Sequence, residues 1–300
     1  MRRRSAFRNV IEYGTAWVAV QTLAAAPGGL AWRLARAYAG VLDRALPRLR
    51  RTALRNLEFA MPELDEAGRL RTVEEVFDSI ARVLAAFAKF PRIQRRNVAE
   101  WIRCEGLEYY REAKRRGKGV LVATAHLGNW ELSAYAHALL TEPMNVLVRP
   151  LDNPYIDRMV ERRRALSGNR VIAKKDFARG ILAALRRNEA VGILIDQNAA
   201  PENGVFVDFF GVPACAGTGF ARLAAHSGAT VIPGFATWSG EERRYVLRFY
   251  PPVPVSGDAA VDTAAVQRAL EAAIRREPGQ WLWIHRRWKT RPAGEPPLYR

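Results

Sequence analysis

Cysteine is nearly absent: the 300 residues hold two, Cys104 and Cys215, with no paired spacing. That excludes a disulfide framework and any cysteine-based zinc module. Acid is short as well. Against 47 Lys+Arg stand 30 Asp+Glu, a formal charge of +17. So basic a surface suits anionic partners: nucleic acid, acidic lipid, phosphorylated ligands or an acidic carrier protein. There is no internal repeat and no long polar linker. What is present, 49% hydrophobic and 26% charged residues, is ordinary globular composition with enough length for a sizeable core.

The charge is uneven. Residues 1–60 carry eleven Arg, no Lys and three acids, Glu12, Asp43 and Glu58. Within them, Tyr13 to Trp32 is a run of 20 residues without a charge, preceded by Arg2, Arg3, Arg4 and Arg8 and followed by Arg33 and Arg36. The run is long enough to span a bilayer. Thr15, Gln21, Thr22 and the breaker Pro27-Gly28-Gly29 weaken that reading, and no signal-peptide cleavage site closes it. It is either a buried helix or an anchor lying in or dipping into a membrane, with Trp17 and Trp32 at the interface. The flanking arginines favour the anchor. Two parts are expected, an anchoring helical segment over 1–60 and a second domain over 61–300.

Past residue 60 the apolar periodicity predicts a helix over 67–90, stopped by Pro91. Strand-like and helix-like segments then alternate. Strands are expected at 119–124, 145–148, 170–173, 190–195, 230–237 and 245–250, and helices at 130–140, 155–167, 178–188, 219–227 and 264–276. Such alternation predicts an α/β fold, a mostly parallel sheet flanked by helices. Chemistry in such sheets gathers beyond the carboxyl ends of the strands.

Of four histidines, His126 alone sits where a predicted strand turns into a helix. The segment is Thr124-Ala125-His126-Leu127-Gly128-Asn129-Trp130-Glu131. Gly128 permits a tight turn, and Asn129 is a plausible N-cap that puts Glu131 in the first helical turn. Glu131 could then accept from one ring nitrogen of His126, fix its tautomer and make the other a general base. No second His or carboxylate stands at helical spacing, so no metal site is expected. No G-x-S-x-G elbow is present for a serine hydrolase.

The segment His126 to Glu131 resembles the H-x4-D/E signature of glycerolipid acyltransferases. It is most similar to the branch that adds secondary lauroyl and myristoyl chains to lipid A. Val148-Arg149-Pro150-Leu151-Asp152-Asn153-Pro154, Asp196-Gln197-Asn198 and Phe206-Val207-Asp208-Phe209-Phe210-Gly211 agree in order and spacing, and the tail from Gln280 to Pro292 resembles the family's ending. Where the family often has Asp-Gln-Asp, this chain ends the triplet with Asn198.

The resemblance implies direct acyl transfer from a thioester to a hydroxyl, with no covalent acyl-enzyme and no cofactor. His126 is then the base and Glu131 its orienter. Arg149 would bind phosphate or the developing oxyanion. Asp196 falls at the active edge of the sheet, and Gly128 and Asn129 border the substrate with them. Asp152 and Asn153 look architectural. Phe206, Phe209, Phe210 and Val212 could line an acyl channel or fill the core. Trp281, Trp283 and Trp288, alternating with Arg286, Arg287 and Lys289, suit either lipid headgroups or a closing strand.

The expected donor is acyl carrier protein, the acceptor a phosphorylated glycolipid such as a lipid A precursor, and the place the cytoplasmic face of the cell inner membrane, against its anionic surface. An acyl-CoA enzyme acting on another glycolipid or lysophospholipid is the alternative. A non-enzymatic basic protein on membrane or nucleic acid is the alternative of another class, and no nucleic-acid module supports it.

Overall fold

A computed structural model describes residues 5–172 and 177–299. Arg2, Arg3 and Arg4 and the expected strand end at residue 173 lie outside them. Along the chain come α1 (Ala6–Ala25), α2 (Gly28–Ala45), α3 (Pro47–Ala60), α4 (Glu66–Lys89), β1 (Ile102–Glu105), α5 (Leu107–Arg115), β2 (Val120–Thr124), α6 (Trp130–Leu140), β3 (Asn145–Leu147) and α7 (Pro154–Ala165). Then follow β4 (Arg170–Ile172), α8 (Phe177–Arg186), β5 (Ala190–Leu194), β6 (Gly204–Phe209), β7 (Val212–Gly217), α9 (Gly219–Ser227), β8 (Thr230–Ser239), β9 (Arg244–Phe249) and α10 (Ala259–Arg276).

Seven strands form the main sheet in the order β1-β9-β8-β2-β5-β3-β4. Every neighbouring pair is parallel except β8 with β9. The fold is therefore mixed α/β with a mostly parallel sheet. β2 and β5 lie at its centre. Their side chains are buried up to the last strand residue, which is why they read as unbroken apolar runs. β6 and β7 pair apart from it as a hairpin.

α4 starts where the Asp65 side chain accepts from the Gly68 N–H at 2.6 Å, and Pro91 stops it. Its buried face includes Val73, Val76, Phe77, Val83 and Phe87, so the stripe is core. The uncharged run is not one helix: Pro27 divides it between α1 and α2. Among the described residues no helix is long and apolar enough to cross a membrane. α1 buries Val20 and Leu23 but exposes Phe7, Val10, Ile11, Trp17 and Val18. Its end is held from inside the protein. Lys89 Nζ donates to the carbonyls of Ala24 at 2.9 Å and Ala26 at 2.5 Å, where a cation suits the helix dipole.

Two aromatic expectations change. The tail forms turns rather than a strand, and Trp281, Trp283 and Trp288 are buried in the core, not turned to a lipid surface. Phe209 and Phe210 join them there, which removes both from any acyl channel. Phe59, also in contact with Trp288, brings α3 into the same cluster.

Candidate active site

The site is built by strand register. β2 and β5 run parallel with Thr124 opposite Leu194, and the Ile195 N–H still donates to the Thr124 carbonyl. Two residues on from each lie His126 and Asp196, side by side at the carboxyl edge of the sheet. Asp196 Oδ1 is 3.0 Å from His126 Nδ1 and Oδ2 is 3.2 Å from it. Oδ2 also accepts from the His126 backbone N–H at 2.9 Å and from Trp281 Nε1 at 3.0 Å. Asp196 is 3% exposed.

Burial would raise the Asp196 pKa, but the charge and hydrogen bonds of His126, with the Trp281 N–H, bring it down to about 2. It is thus an anion in a dry place, which is tolerable because three donors converge on it. For His126 burial pulls the pKa down, and Asp196 and then Glu131 more than offset it, leaving it above the ordinary value. With Nδ1 engaged by the carboxylate, Nε2 is the nitrogen left for the cleft.

This corrects the orienter. Glu131 stands in the first turn of α6 as expected, but its carboxylate faces Arg164 of α7, receiving Nε at 2.9 Å and Nη2 at 2.5 Å. It acts on His126 only through space. Asp196, expected to bind substrate, is instead buried behind the ring. The signal that could have found it is positional: His126 and Asp196 each stand two residues after a strand that is buried almost throughout.

Gly128 and Asn129 also take other roles. Both are buried. Gly128 has φ +62, and a Cβ there would meet the Ala236 carbonyl oxygen at 1.9 Å. Asn129 is the N-cap, its side chain accepting from the Leu132 N–H at 2.9 Å. They shape the entrance to α6. Asn153 likewise caps α7, and its Nδ2 donates to the Asn9 carbonyl of α1 at 2.8 Å.

The tail, whose contribution sequence reasoning missed, braces the pair. Its Leu282 N–H donates to the His126 carbonyl and its Gln280 carbonyl accepts from the Gly128 N–H. His285 Nε2 accepts from the Asn198 N–H, and Thr290 bonds the Asn198 side chain. Arg287 is wholly buried: it donates to the Cys215 carbonyl and to Gln267, which in turn donates to the Ile195 carbonyl. Burial lowers its pKa to about 10, so it stays charged. Asn198, the last of the Asp196-Gln197-Asn198 triplet, is thus a stitch to the tail.

Two clefts meet here. His126, Trp130, exposed Arg149 and Gln197 line an open one. The other is mostly apolar, lies between α6 and the sheet, and shares Trp130, Leu147, Val148, Arg164 and Leu194 with the first. Among the described residues no group of three or more His, Cys, Asp or Glu could hold a metal ion. A buried His–carboxylate pair opening onto a cleft can take a proton from a hydroxyl, and an adjoining apolar cleft can take a hydrocarbon chain.

Residues 2–290 match the family described as bacterial lipid A biosynthesis acyltransferase. The chain is 31% identical to the lipid A biosynthesis lauroyltransferase of Escherichia coli (strain K12) over 289 residues, 95% of this chain and 92% of that one. It is 31% identical to the lipid A biosynthesis palmitoleoyltransferase of the same strain, covering 85% of this chain and 83% of the relative. With that strain's lipid A biosynthesis myristoyltransferase it shares 28% over 88% of this chain and 81% of the relative. The fold, the motif-bearing loops and a match over nearly the full length together make the chain a member of the bacterial lipid A biosynthesis acyltransferases, and so an acyltransferase.

Proposed function

We propose that the protein moves a fatty acyl chain from an acyl thioester to a hydroxyl of a lipid A precursor, with His126 as general base. The observation that carries this reading is the His126–Asp196 pair, with His126 on an open cleft that also carries Arg149 and joins a second, mostly apolar one. His126 Nε2 takes the proton of the acceptor hydroxyl while its oxygen attacks the thioester carbonyl. The tetrahedral intermediate then collapses, the C–S bond breaks, and the thiolate leaves with the proton held by His126. An ester and a free thiol result. Asp196 keeps the Nδ1–H tautomer and steadies the imidazolium between the two steps. Arg149, on the open cleft, offers a guanidinium to a phosphate of the acceptor or to the developing oxyanion.

The names of the relatives support a lipid A-type acceptor. The charge of +17 supports an acidic carrier protein as donor. Residues 1–60 would be the membrane-facing part and 61–300 the catalytic domain. The exposed apolar face of α1, with Phe7, Ile11 and Trp17 and Arg8 beside it, suits a helix lying in the interface of an anionic membrane, which agrees with action at the cytoplasmic face of the inner membrane.

The test is acyl transfer in detergent micelles, offering a carrier-protein thioester and, separately, the CoA thioester with a lipid A precursor, read by mass spectrometry. The acceptor should gain the mass of one acyl chain, more readily from the carrier protein. Preference for CoA would replace the donor, and no transfer from either would overturn the reading.

A further inference from the structure

The tail that braces His126 and Asp196 also walls a basic groove against α3. Arg48, Arg51 and Arg55 follow one another at helical spacing over about 10 Å of α3, and they line this groove together with Arg286 and Tyr299 of the tail. The groove is firmly built. Asn56 of α3 is buried, and its Nδ2 donates to the carbonyls of Trp283 at 2.6 Å and His285 at 2.8 Å. Its Oδ1 accepts from the Tyr299 hydroxyl at 2.6 Å. Arg55 Nε donates to the Leu298 carbonyl at 3.0 Å, and the Arg286 guanidinium lies 5.6 Å from the centre of the Tyr299 ring.

Among the described residues no carboxylate lines this groove. Arg55 meets Glu58 outside it. Exposed Arg48, Arg51 and Arg286 meet no acid among the described residues, whereas Arg8 and Arg187 are answered by Glu12 and Glu189. Cations gathered in a concave site raise the local potential and favour an anionic occupant.

The surroundings say which kind. A surface seated in a membrane carries apolar side chains to insert, as α1 does with Phe7, Ile11 and Trp17. The exposed positions of α3 are instead Pro47, Arg48, Arg51, Arg55 and Glu58. A fixed row of cations without apolar neighbours suits the acidic face of a protein. The groove also adjoins the site. Arg286 follows His285, whose Nε2 accepts from the Asn198 N–H at 3.2 Å, and Gln197 beside Asn198 lines the open cleft. By standard backbone dimensions the Cα atoms of Arg286 and Asp196 are then at most about 20 Å apart. A carrier protein presents its thioester at the end of a flexible arm, so it can dock at the groove while the thioester enters the cleft.

We propose that the groove between α3 and the tail, through Arg48, Arg51 and Arg286, is the docking surface for the acidic carrier protein that delivers the acyl chain. This placement of the donor rests on the acyl-transfer reading above.

The experiment uses the full chain and three probes: bacterial acyl carrier protein with a fluorescent label, its dodecanoyl thioester, and dodecanoyl-pantetheine, which keeps the thioester and lacks the protein. Arg48→Glu combined with Arg51→Glu should raise the KM for the carrier-protein thioester by about ten-fold or more. It should weaken labelled carrier protein equally in fluorescence anisotropy, and leave the melting temperature and kcat/KM for dodecanoyl-pantetheine as in wild type. Arg48→Lys with Arg51→Lys keeps the charges and should hold the affinity within about three-fold. Added salt should raise the wild-type KM more steeply than that of the glutamate variant. If the glutamate variant does not fold, Arg48→Gln with Arg51→Gln is read in its place. A folded variant with unchanged KM and anisotropy overturns the proposal. So does equal loss with dodecanoyl-pantetheine, which would make the arginines structural, or loss of binding to phosphatidylglycerol vesicles alone, which would give the groove to lipid. Transfer from no donor by wild type would overturn the acyl-transfer reading, and anisotropy would then decide the docking surface by itself.

Discussion

Asp196→Asn gives a sharp test of the catalytic geometry, because the structure dictates which way the amide must point. Asp196 Oδ2 accepts from the His126 backbone N–H and from Trp281 Nε1, and both are donors only. The amide oxygen must therefore replace Oδ2. The amide nitrogen then replaces Oδ1, 3.0 Å from His126 Nδ1. Two N–H groups cannot face each other, so the ring moves its proton to Nε2. The nitrogen that should accept from the acceptor hydroxyl is then blocked, and the carboxylate charge that raises the His126 pKa is gone. Loss of a general base typically costs ~10²–10⁴ in rate, and kcat/KM for acyl transfer should fall by that amount. Because size and two of the hydrogen bonds survive, the melting temperature should move little. The assay is transfer of a dodecanoyl thioester to a lipid A precursor, followed by mass spectrometry, with circular dichroism on the same sample. A folded variant retaining more than about a tenth of wild-type kcat/KM refutes the tautomer argument.

Other outcomes follow from the same site. Since His126 must be neutral to accept a proton and its pKa stands above the ordinary 6.5, kcat/KM should fall as pH drops through a value above 6.5, and Asp196→Asn should move that limb to lower pH; a limb below 6.5 in wild type contradicts the pairing. Glu131→Gln loosens the two-pronged contact with Arg164 but leaves the tautomer intact, so kcat/KM should fall by about ten-fold, less than for Asp196→Asn; the reverse order would return Glu131 to the orienter's role. Gly128→Ala places a Cβ 1.9 Å from the Ala236 carbonyl oxygen at positive φ, and should cost about 3 kcal/mol or more in a denaturant melt; a loss under about 1 kcal/mol would show the turn to be softer than its contacts imply.

How legible the fold was depended on how local the determinants are. α6 and α9 run over the residues the sequence predicts, because a cap or glycine bounds each of them within a few positions. β2 and β5 are readable as continuous apolar runs since both faces are covered. β1 is not: Ile102–Glu105 carries Arg103 and Glu105, whose charges are answered by Glu242 and Arg248 far along the chain. The β6–β7 hairpin was hidden because its phenylalanines suggested a channel, while Phe209 and Phe210 pack against the tail tryptophans.

The site divides the same way. His126 was visible from its loop. Its partner was misassigned because Glu131 is near in sequence, whereas Asp196 is brought there by the adjacency of β2 and β5, which only the strand order reveals. The brace supplied by Trp281 and Arg287 spans longer distances still. Alternating tryptophans and arginines look like an interfacial pattern until packing shows that the rings and one guanidinium are buried.

The central claim, that His126 is the base of an acyl transfer, is tested most directly by His126→Ala in a single assay that reads both fold and function. One sample of the protein is melted, and a second, folded sample is given a carrier-protein thioester and a lipid A precursor. The account expects a melting temperature near that of wild type and transfer reduced by ~10²–10⁴, with Asp196→Asn adding little once His126 is gone. A folded His126→Ala protein that transfers the acyl chain at a near-normal rate would contradict it.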